Sequence, residues 1–112
     1  MESTRQQKIA RLLQKDLSEI FQLMTREHWQ GFLITVTKVY ISPDLSIAKV
    51  YLSLFGSGDR ETIFKAVSRS KKEIRHQLAL RVGKQMRVIP ELMFYVDDSL
   101  DYIENIDNLL KS

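Results

Sequence analysis

The sequence contains no cysteine. This absence excludes disulfides, thiolate metal sites and cysteine nucleophiles, and it gives no sign of an oxidising compartment. The sequence also has no apolar run of membrane-spanning length, and its charged start, Met1 to Arg5, has no signal-peptide core. We therefore expect a cytoplasmic protein that is neither secreted nor inserted into a membrane.

The size and composition of the chain fit one folded domain. It has 112 residues, of which 44% are hydrophobic and 28% are charged, values close to those of an ordinary globular protein. No internal repeat, low-complexity stretch or linker divides it. We predict a single domain over residues 1–112.

The positive charge is concentrated in one part of the chain. Residues 60–87 contain nine Lys/Arg and two Asp/Glu, a net charge of +7, whereas residues 1–59 contain seven and six, a net charge of +1. Residues 88–112 contain one and six, a net charge of −5. A local excess of this size predicts a surface that faces a polyanion.

The first segment is predicted to be an amphipathic helix, because its apolar residues have the spacing of one helical face. They are Ile9, Leu12, Leu13, Leu17, Ile20, Phe21 and Met24. Ser3 or Thr4 can cap this helix, and its basic residues fall roughly opposite the apolar face. Trp29, at its end, is expected to cover the core rather than to stack on a base.

Two segments rich in β-branched and aromatic residues, 31–41 and 45–55, are predicted to form strands. The turn-forming Ser42-Pro43-Asp44 between them predicts an antiparallel hairpin. In the second strand, apolar residues alternate with Lys49, Tyr51 and Ser53, so helices are expected on only one face of the sheet.

Two further helices and a third strand follow. A break at residues 56–59 precedes one helical pattern, and a second pattern has apolar residues four apart: Ile74, Leu78, Val82 and Met86. Pro90 ends helical pairing, and residues 91–96 are predicted to form a strand. Residues 97–99 can cap a short last helix over 102–110.

This order predicts an α+β fold, αββααβ plus a short C-terminal helix, with a three-stranded sheet covered by helices on one face. The type II KH-like domain has this arrangement. Ferredoxin-like domains share much of it, so the order alone does not fix the function.

Residues 87–99 carry the clearest motif: Pro90-Glu91-Leu92, then the aromatic pair Phe94-Tyr95, then Asp97-Asp98-Ser99. This segment resembles the ribosome-binding factor A family. The helix that begins near Arg5 and the hairpin over residues 39–51 are also similar to that family, so the likeness extends from about Arg5 to Leu110. The family's Ala-x-Gly kink between the second and third helices is not found in residues 67–72.

The resemblance implies a KH-like, non-enzymatic protein that associates with the free small (30S) ribosomal subunit and assists late 16S rRNA processing and subunit maturation. It also implies a link to growth in the cold. The expected partners are the small subunit with its 16S rRNA, ribosomal proteins and assembly GTPases, and the expected state is a monomer.

A cluster of basic residues in the region of highest positive charge is the predicted RNA-binding site. It comprises Arg69, Lys71, Lys72, Arg75, Arg81, Lys84 and Arg87, expected along the third helix. Because acidic partners four residues away are nearly absent, phosphate contact is favoured over a merely solvated helix face. A secondary RNA-binding group is expected on the first helix: Arg5, Lys8, Arg11 and Lys15. The GxxG motif of KH domains is absent, which favours docking on folded RNA over ordinary single-strand binding.

Two other functions remain as alternatives. The chain could be a protein-interaction module that acts through its acidic C-terminal helix. A hydrolase or nuclease is disfavoured, because His28 and His76 have no nucleophile or carboxylate at motif spacing. We therefore expect no catalytic residue, no metal and no cofactor.

Overall fold

A computed structural model describes residues 3–56 and 58–97. Its elements are α1 (Thr4–His28), β1 (Phe32–Ile41), β2 (Ile47–Gly56), α2 (Arg60–Arg69), α3 (Lys71–Val82) and β3 (Glu91–Val96). The predicted order αββααβ is confirmed. The predicted helix over residues 102–110 lies outside the described residues.

α1 begins with a reciprocal cap that also ties it to the sheet. The Ser3 hydroxyl accepts a hydrogen bond from the Gln6 N–H (3.1 Å), and the Gln6 side-chain oxygen accepts one from the Ser3 N–H (2.9 Å). The Gln6 amide group also donates to the Ile41 carbonyl at 2.9 Å. Gln6 therefore joins the start of α1 to the end of β1.

The sheet has the order β1-β2-β3, with β1 antiparallel and β3 parallel to β2. A bulge interrupts the β1–β2 register between Val36 and Lys38. At this bulge the Thr37 hydroxyl donates to the Asp97 carboxylate (2.5 Å), and the Gln14 side chain donates to the Val36 carbonyl (3.2 Å). The bulge is thus held by the residue that follows β3 and by a side chain of α1.

The core lies between the helices and one face of the sheet, as predicted. Leu17 of α1, Leu52 of β2 and Leu78 of α3 are each fully buried in it. Trp29 is only 8% exposed, and its ring centroid lies 6.3 Å from that of Phe21, so its predicted place over the core is confirmed. The opposite face of the sheet, here called the open face, has no helix against it among the described residues.

Ser70 separates α2 from α3 where the Ala-x-Gly motif is missing. Its N–H bonds to the Val67 carbonyl (3.0 Å), and its own carbonyl accepts from the Ile74 N–H (2.9 Å). The backbone at Ser70 (φ −90°, ψ 8°) therefore bends the chain without leaving these groups unpaired.

α3 is shorter than the four-residue apolar spacing predicts. It ends at Val82, and residues 83–85 form a turn. Met86 is nevertheless buried, because its N–H bonds to the Val82 carbonyl (2.9 Å) and keeps it on the core side.

Candidate RNA-binding surface

Basic residues distant in sequence meet at a cleft of about 770 Å³. The first turns of α1, the β1–β2 turn and residues 85–88 form its walls. Arg5 and Lys8 line it from α1, and Arg87 lines it from the segment after α3. The fold therefore brings part of the secondary basic group together with one residue of the main group.

Asp44 also lines this cleft, and its carboxylate is hydrogen-bonded within the β1–β2 turn. Its carboxylate accepts hydrogen bonds from the hydroxyls of Ser42 and Ser46, both at 2.7 Å, and from the Ser46 N–H at 3.1 Å. The Ser42 hydroxyl first, and then the Ser46 groups, lower the pKa of Asp44 to about 2. Leu45, the next residue, has a left-handed backbone with φ 63°.

The main basic group is distributed over three segments. Arg69 is the last residue of α2, four members lie on α3, and Lys84 and Arg87 follow α3. The expectation that all seven lie along the third helix is therefore wrong. The physical reason is that Ser70 breaks the helix before Lys71 and that the turn after Val82 ends it.

Arg75 contacts the segment that leads into β3. Its guanidinium donates from Nη2 to the Ile89 carbonyl at 2.8 Å and from Nε to the Pro90 carbonyl at 3.3 Å. Both acceptors are neutral, so Arg75 keeps its full charge while its orientation is restricted. It is exposed, and its remaining N–H groups are available to a phosphate.

Arg81, in contrast, is paired with carboxylates of α1. Its Nη1 bonds to the Glu19 carboxylate and lies 3.8 Å from the Asp16 carboxylate. Arg75 and Arg81 flank the buried stripe of α3 on opposite sides, because Arg75 contacts the segment before β3 and Arg81 contacts α1. They therefore do not belong to one positive stripe.

Several other predicted residues are exposed and unpaired. Among residues 3–56 and 58–97, no carboxylate lies within ion-pairing distance of Arg69, Lys72, Lys84 or Arg87. All four are exposed, whereas Lys71 is half-buried. Within the described ranges, therefore, nothing neutralises these four cations, and each can meet an external anion.

The four residues of the secondary group, Arg5, Lys8, Arg11 and Lys15, are also exposed, and in the described part of the chain none of them has an acidic partner. Lys8, Arg11 and Lys15 lie on the side of α1 opposite its buried residues, whereas Arg5 lines the cleft. The secondary group is therefore a second cationic surface that reaches the cleft at Arg5 and Lys8.

Sequence reasoning did not include the open face of the sheet among the candidate sites. Lys38 and Tyr40 of β1, Lys49 and Tyr51 of β2, and Tyr95 of β3 lie there side by side. The alternation in the second predicted strand places Lys49, Tyr51 and Ser53 on the wetter face, but Ser53 is buried. The pairing across strands that gathers all five could not be predicted from that alternation alone.

The histidines show no site geometry. His28 lies 3.7 Å from the Glu27 carboxylate, and both side chains are more than half exposed. Within the described ranges, no three His, Cys, Asp or Glu side chains are grouped as a metal site would require. Over the same ranges, no helix is long and apolar enough to cross a membrane.

The amino-acid sequence is similar to those of known proteins. A family model described as ribosome-binding factor A matches residues 5–110. The ribosome-binding factor A of Christiangramia forsetii is 48% identical over 111 residues, which are 98% of this chain and 85% of that protein.

Solved structures agree with the sequence comparison. The crystal structure of ribosome-binding factor A from Thermus thermophilus is 31% identical and superposes with a TM-score of 0.68, over 81% of this chain and 94% of that one. A Thermus thermophilus ribosome-binding factor A model fitted into a cryo-electron-microscopy map of a 30S complex is 33% identical, with a TM-score of 0.65 over 79% and 90% of the two chains. The chain therefore belongs to the ribosome-binding factor A family.

Proposed function

We propose that the protein binds the free small ribosomal subunit through its 16S rRNA and assists late processing of that RNA and maturation of the subunit. The observation that carries the proposal is the cleft where Arg5, Lys8 and Arg87 converge, in a chain of the ribosome-binding factor A family. The related Thermus thermophilus protein, which has been fitted into a 30S complex, supports the choice of target.

The cleft and the cations beside it suit the phosphates of folded RNA. The Arg5 and Arg87 guanidinium groups can each contact a phosphate through two parallel N–H bonds, whereas the ammonium of Lys8 acts as a point charge. Asp44 stays ionised in this cleft, but its Oδ1 is held within the turn by three hydrogen bonds from Ser42 and Ser46. Phosphate contacts of this kind position a protein on RNA without reading its sequence.

The main basic group contributes unequally in this proposal. Arg69, Lys72 and Lys84 have no acidic partner among the described residues, so each can neutralise a phosphate. The Arg75 guanidinium is already oriented by its hydrogen bonds to the carbonyls before β3. Its side chain therefore loses less conformational entropy when it binds a phosphate. Arg81 contributes least, because the carboxylates of α1 already balance its charge.

The chain acts in this proposal as a monomeric single domain in the cytoplasm and performs no chemistry itself. Ribosomal proteins and assembly GTPases would then meet it on the subunit rather than in solution. The proposal includes a link to growth in the cold, as the resemblance to the family implies.

The experiment is sedimentation through a sucrose gradient with purified small subunits, large subunits and complete ribosomes. We expect the protein to migrate with free small subunits and to be absent from complete ribosomes. Cells that lack it should accumulate unprocessed small-subunit RNA. Equal migration with large subunits, or normally processed RNA in those cells, would contradict the proposal.

A further inference from the structure

A row of tyrosines crosses the open face of the sheet, one from each strand. Tyr51 of β2 stands opposite Tyr95 of β3, and their rings are stacked with centroids 5.3 Å apart and planes at 25°. Tyr40 of β1 meets Tyr51 edge to face at 5.9 Å. The row therefore presents both ring faces and ring edges on a surface that, in the described part of the chain, no helix covers.

Two lysines complete a block with two of these tyrosines. In the β1–β2 register Lys38 stands opposite Tyr51, and Tyr40 stands opposite Lys49. The Lys38 ammonium lies 5.7 Å from the centroid of the Tyr40 ring. Tyrosines and lysines thus alternate across the two strands, and we call Lys38, Tyr40, Lys49 and Tyr51 the tyrosine–lysine block.

The block borders a second cleft. Tyr40, Lys49 and Tyr51 line a space of about 610 Å³ together with Ile47 and the start of the β1–β2 turn. Tyr40 is 40% exposed, although it is a large aromatic side chain. The cleft therefore offers an aromatic wall next to an ammonium group.

Two carboxylates share the open face, but neither neutralises the block. Asp97 accepts the Thr37 hydroxyl at the bulge, and Glu91 stands opposite Ile47 at the start of β3. Within the described residues, neither Lys38 nor Lys49 has a carboxylate at ion-pairing distance. As far as the described part of the chain goes, the two ammonium groups can therefore pair with an external anion.

We infer that the tyrosine–lysine block binds an unpaired nucleotide of RNA, with the base stacked on Tyr40 or Tyr51 and the flanking phosphates on Lys38 and Lys49. An aromatic ring gives a base a stacking surface, and a nearby cation holds the backbone. The charge of the block favours RNA over an apolar protein surface. This inference rests on the proposed function and deepens it. In the proposed function, the cations of α1 and of the segments around α3 bind phosphates of folded RNA. The tyrosine–lysine block would bind a base that is not paired.

Cross-strand aromatic contact also stabilises a sheet by itself, so the test must separate stacking on RNA from packing. Leucine retains apolar area at these positions but has no aromatic face. Phenylalanine retains the ring and removes only the hydroxyl. We therefore compare the double variant Tyr40→Leu/Tyr51→Leu with Tyr40→Phe/Tyr51→Phe in the full chain.

The probes are a fluorescein-labelled single-stranded oligoadenylate and a labelled RNA hairpin with a fully paired stem, both measured by fluorescence anisotropy. Phe55→Leu is the matched control, because Phe55 is 59% exposed on the same face but lies outside the block. Urea unfolding of each variant shows that it is folded. Sedimentation velocity of the wild type and the leucine variant over a concentration series detects self-association.

We expect the leucine double variant to bind the oligoadenylate about tenfold or more weakly, because base stacking on a protein aromatic ring is lost. Its affinity for the hairpin should stay within about twofold, and the phenylalanine variant and Phe55→Leu should bind both probes like the wild type. Unchanged oligoadenylate binding by a folded leucine variant would overturn the inference.

The remaining outcomes are also decisive. If the wild type binds the hairpin and small subunits but not the oligoadenylate, the inference fails and the proposed function stands. If the wild type binds no RNA and no subunits, both fail. If the wild type self-associates and the leucine variant does not, with equal oligoadenylate affinity, the face serves a second copy of the chain and the inference is wrong.

Discussion

The division of the basic residues into unpaired and paired cations predicts how affinity for the small subunit depends on salt. Lys72 and Lys84 have no acidic partner among the described residues, whereas Lys65 and Arg81 contact Glu61 (3.6 Å) and the carboxylates of α1. The variants Lys72→Ala/Lys84→Ala and Lys65→Ala/Arg81→Ala remove the same charge. Only Lys72→Ala/Lys84→Ala should remove phosphate contacts.

The size of the expected change in salt dependence follows from counterion release. Each phosphate that a cation neutralises contributes about 0.7 to 0.9 to the slope of log affinity against log salt. Loss of two such contacts should therefore make the slope shallower by roughly 1.4 to 1.8 for Lys72→Ala/Lys84→Ala. Lys65→Ala/Arg81→Ala should change it by less than about 0.5, because those charges are already balanced within the protein.

The assay is binding of purified small subunits over a series of KCl concentrations, accompanied by urea unfolding. The two double variants should rank in the opposite order in their loss of unfolding free energy. Lys72→Ala/Lys84→Ala should stay within about 0.5 kcal/mol of the wild type. Lys65→Ala/Arg81→Ala should lose about 0.2 to 1 kcal/mol per ion pair, since at least one partner of each pair is reached by solvent. Equal slope changes for the two variants would refute the reasoning.

Three further predictions concern the fold. Gln6→Ala should destabilise the protein by about 1 to 3 kcal/mol in urea unfolding, because the buried Ile41 carbonyl and the helix cap each lose a partner; a loss below about 0.5 kcal/mol would show that water replaces both. Gly31→Ala should cost about 1 kcal/mol or more in thermal unfolding, since Gly31 has φ 93°; an unchanged Tm would contradict this. The wild type should be more stable than Asp44→Asn, because the folded state lowers the pKa of Asp44. This difference in unfolding free energy should be complete above the ordinary carboxyl pKa of 3.8 and should vanish as the pH falls through about 2. A difference that persists below that pH would argue against the hydrogen bonds of the turn.

The elements could be predicted because their signals are local. The apolar face of α1, the alternation in β2 and the run after Pro90 each depend on neighbours within a few residues. The end of α3 could not be placed in the same way. Met86 is buried one helical turn beyond Val82, so its spacing fits a helix although the backbone there forms a turn.

The candidate site was less predictable, because its contacts join distant parts of the chain. The partners of Arg81 lie on α1, more than sixty residues earlier, so the spacing of acids along its own helix does not reveal them. The cleft at Arg5 and Arg87 depends on how α1 crosses the sheet. The tyrosine row requires the parallel pairing of β2 with β3, which fixes Tyr51 against Tyr95 only after the chain has crossed through two helices.

The bulge at Thr37 affects how the protein behaves when it is abundant. β1 is the outer strand of an open sheet, and an outer strand with regular unpaired backbone groups is a template for addition of a strand from another molecule. The bulge twists this edge, and the Gln14 side chain occupies carbonyls beside it. Strand addition at β1, and the aggregation that begins with it, is thereby disfavoured.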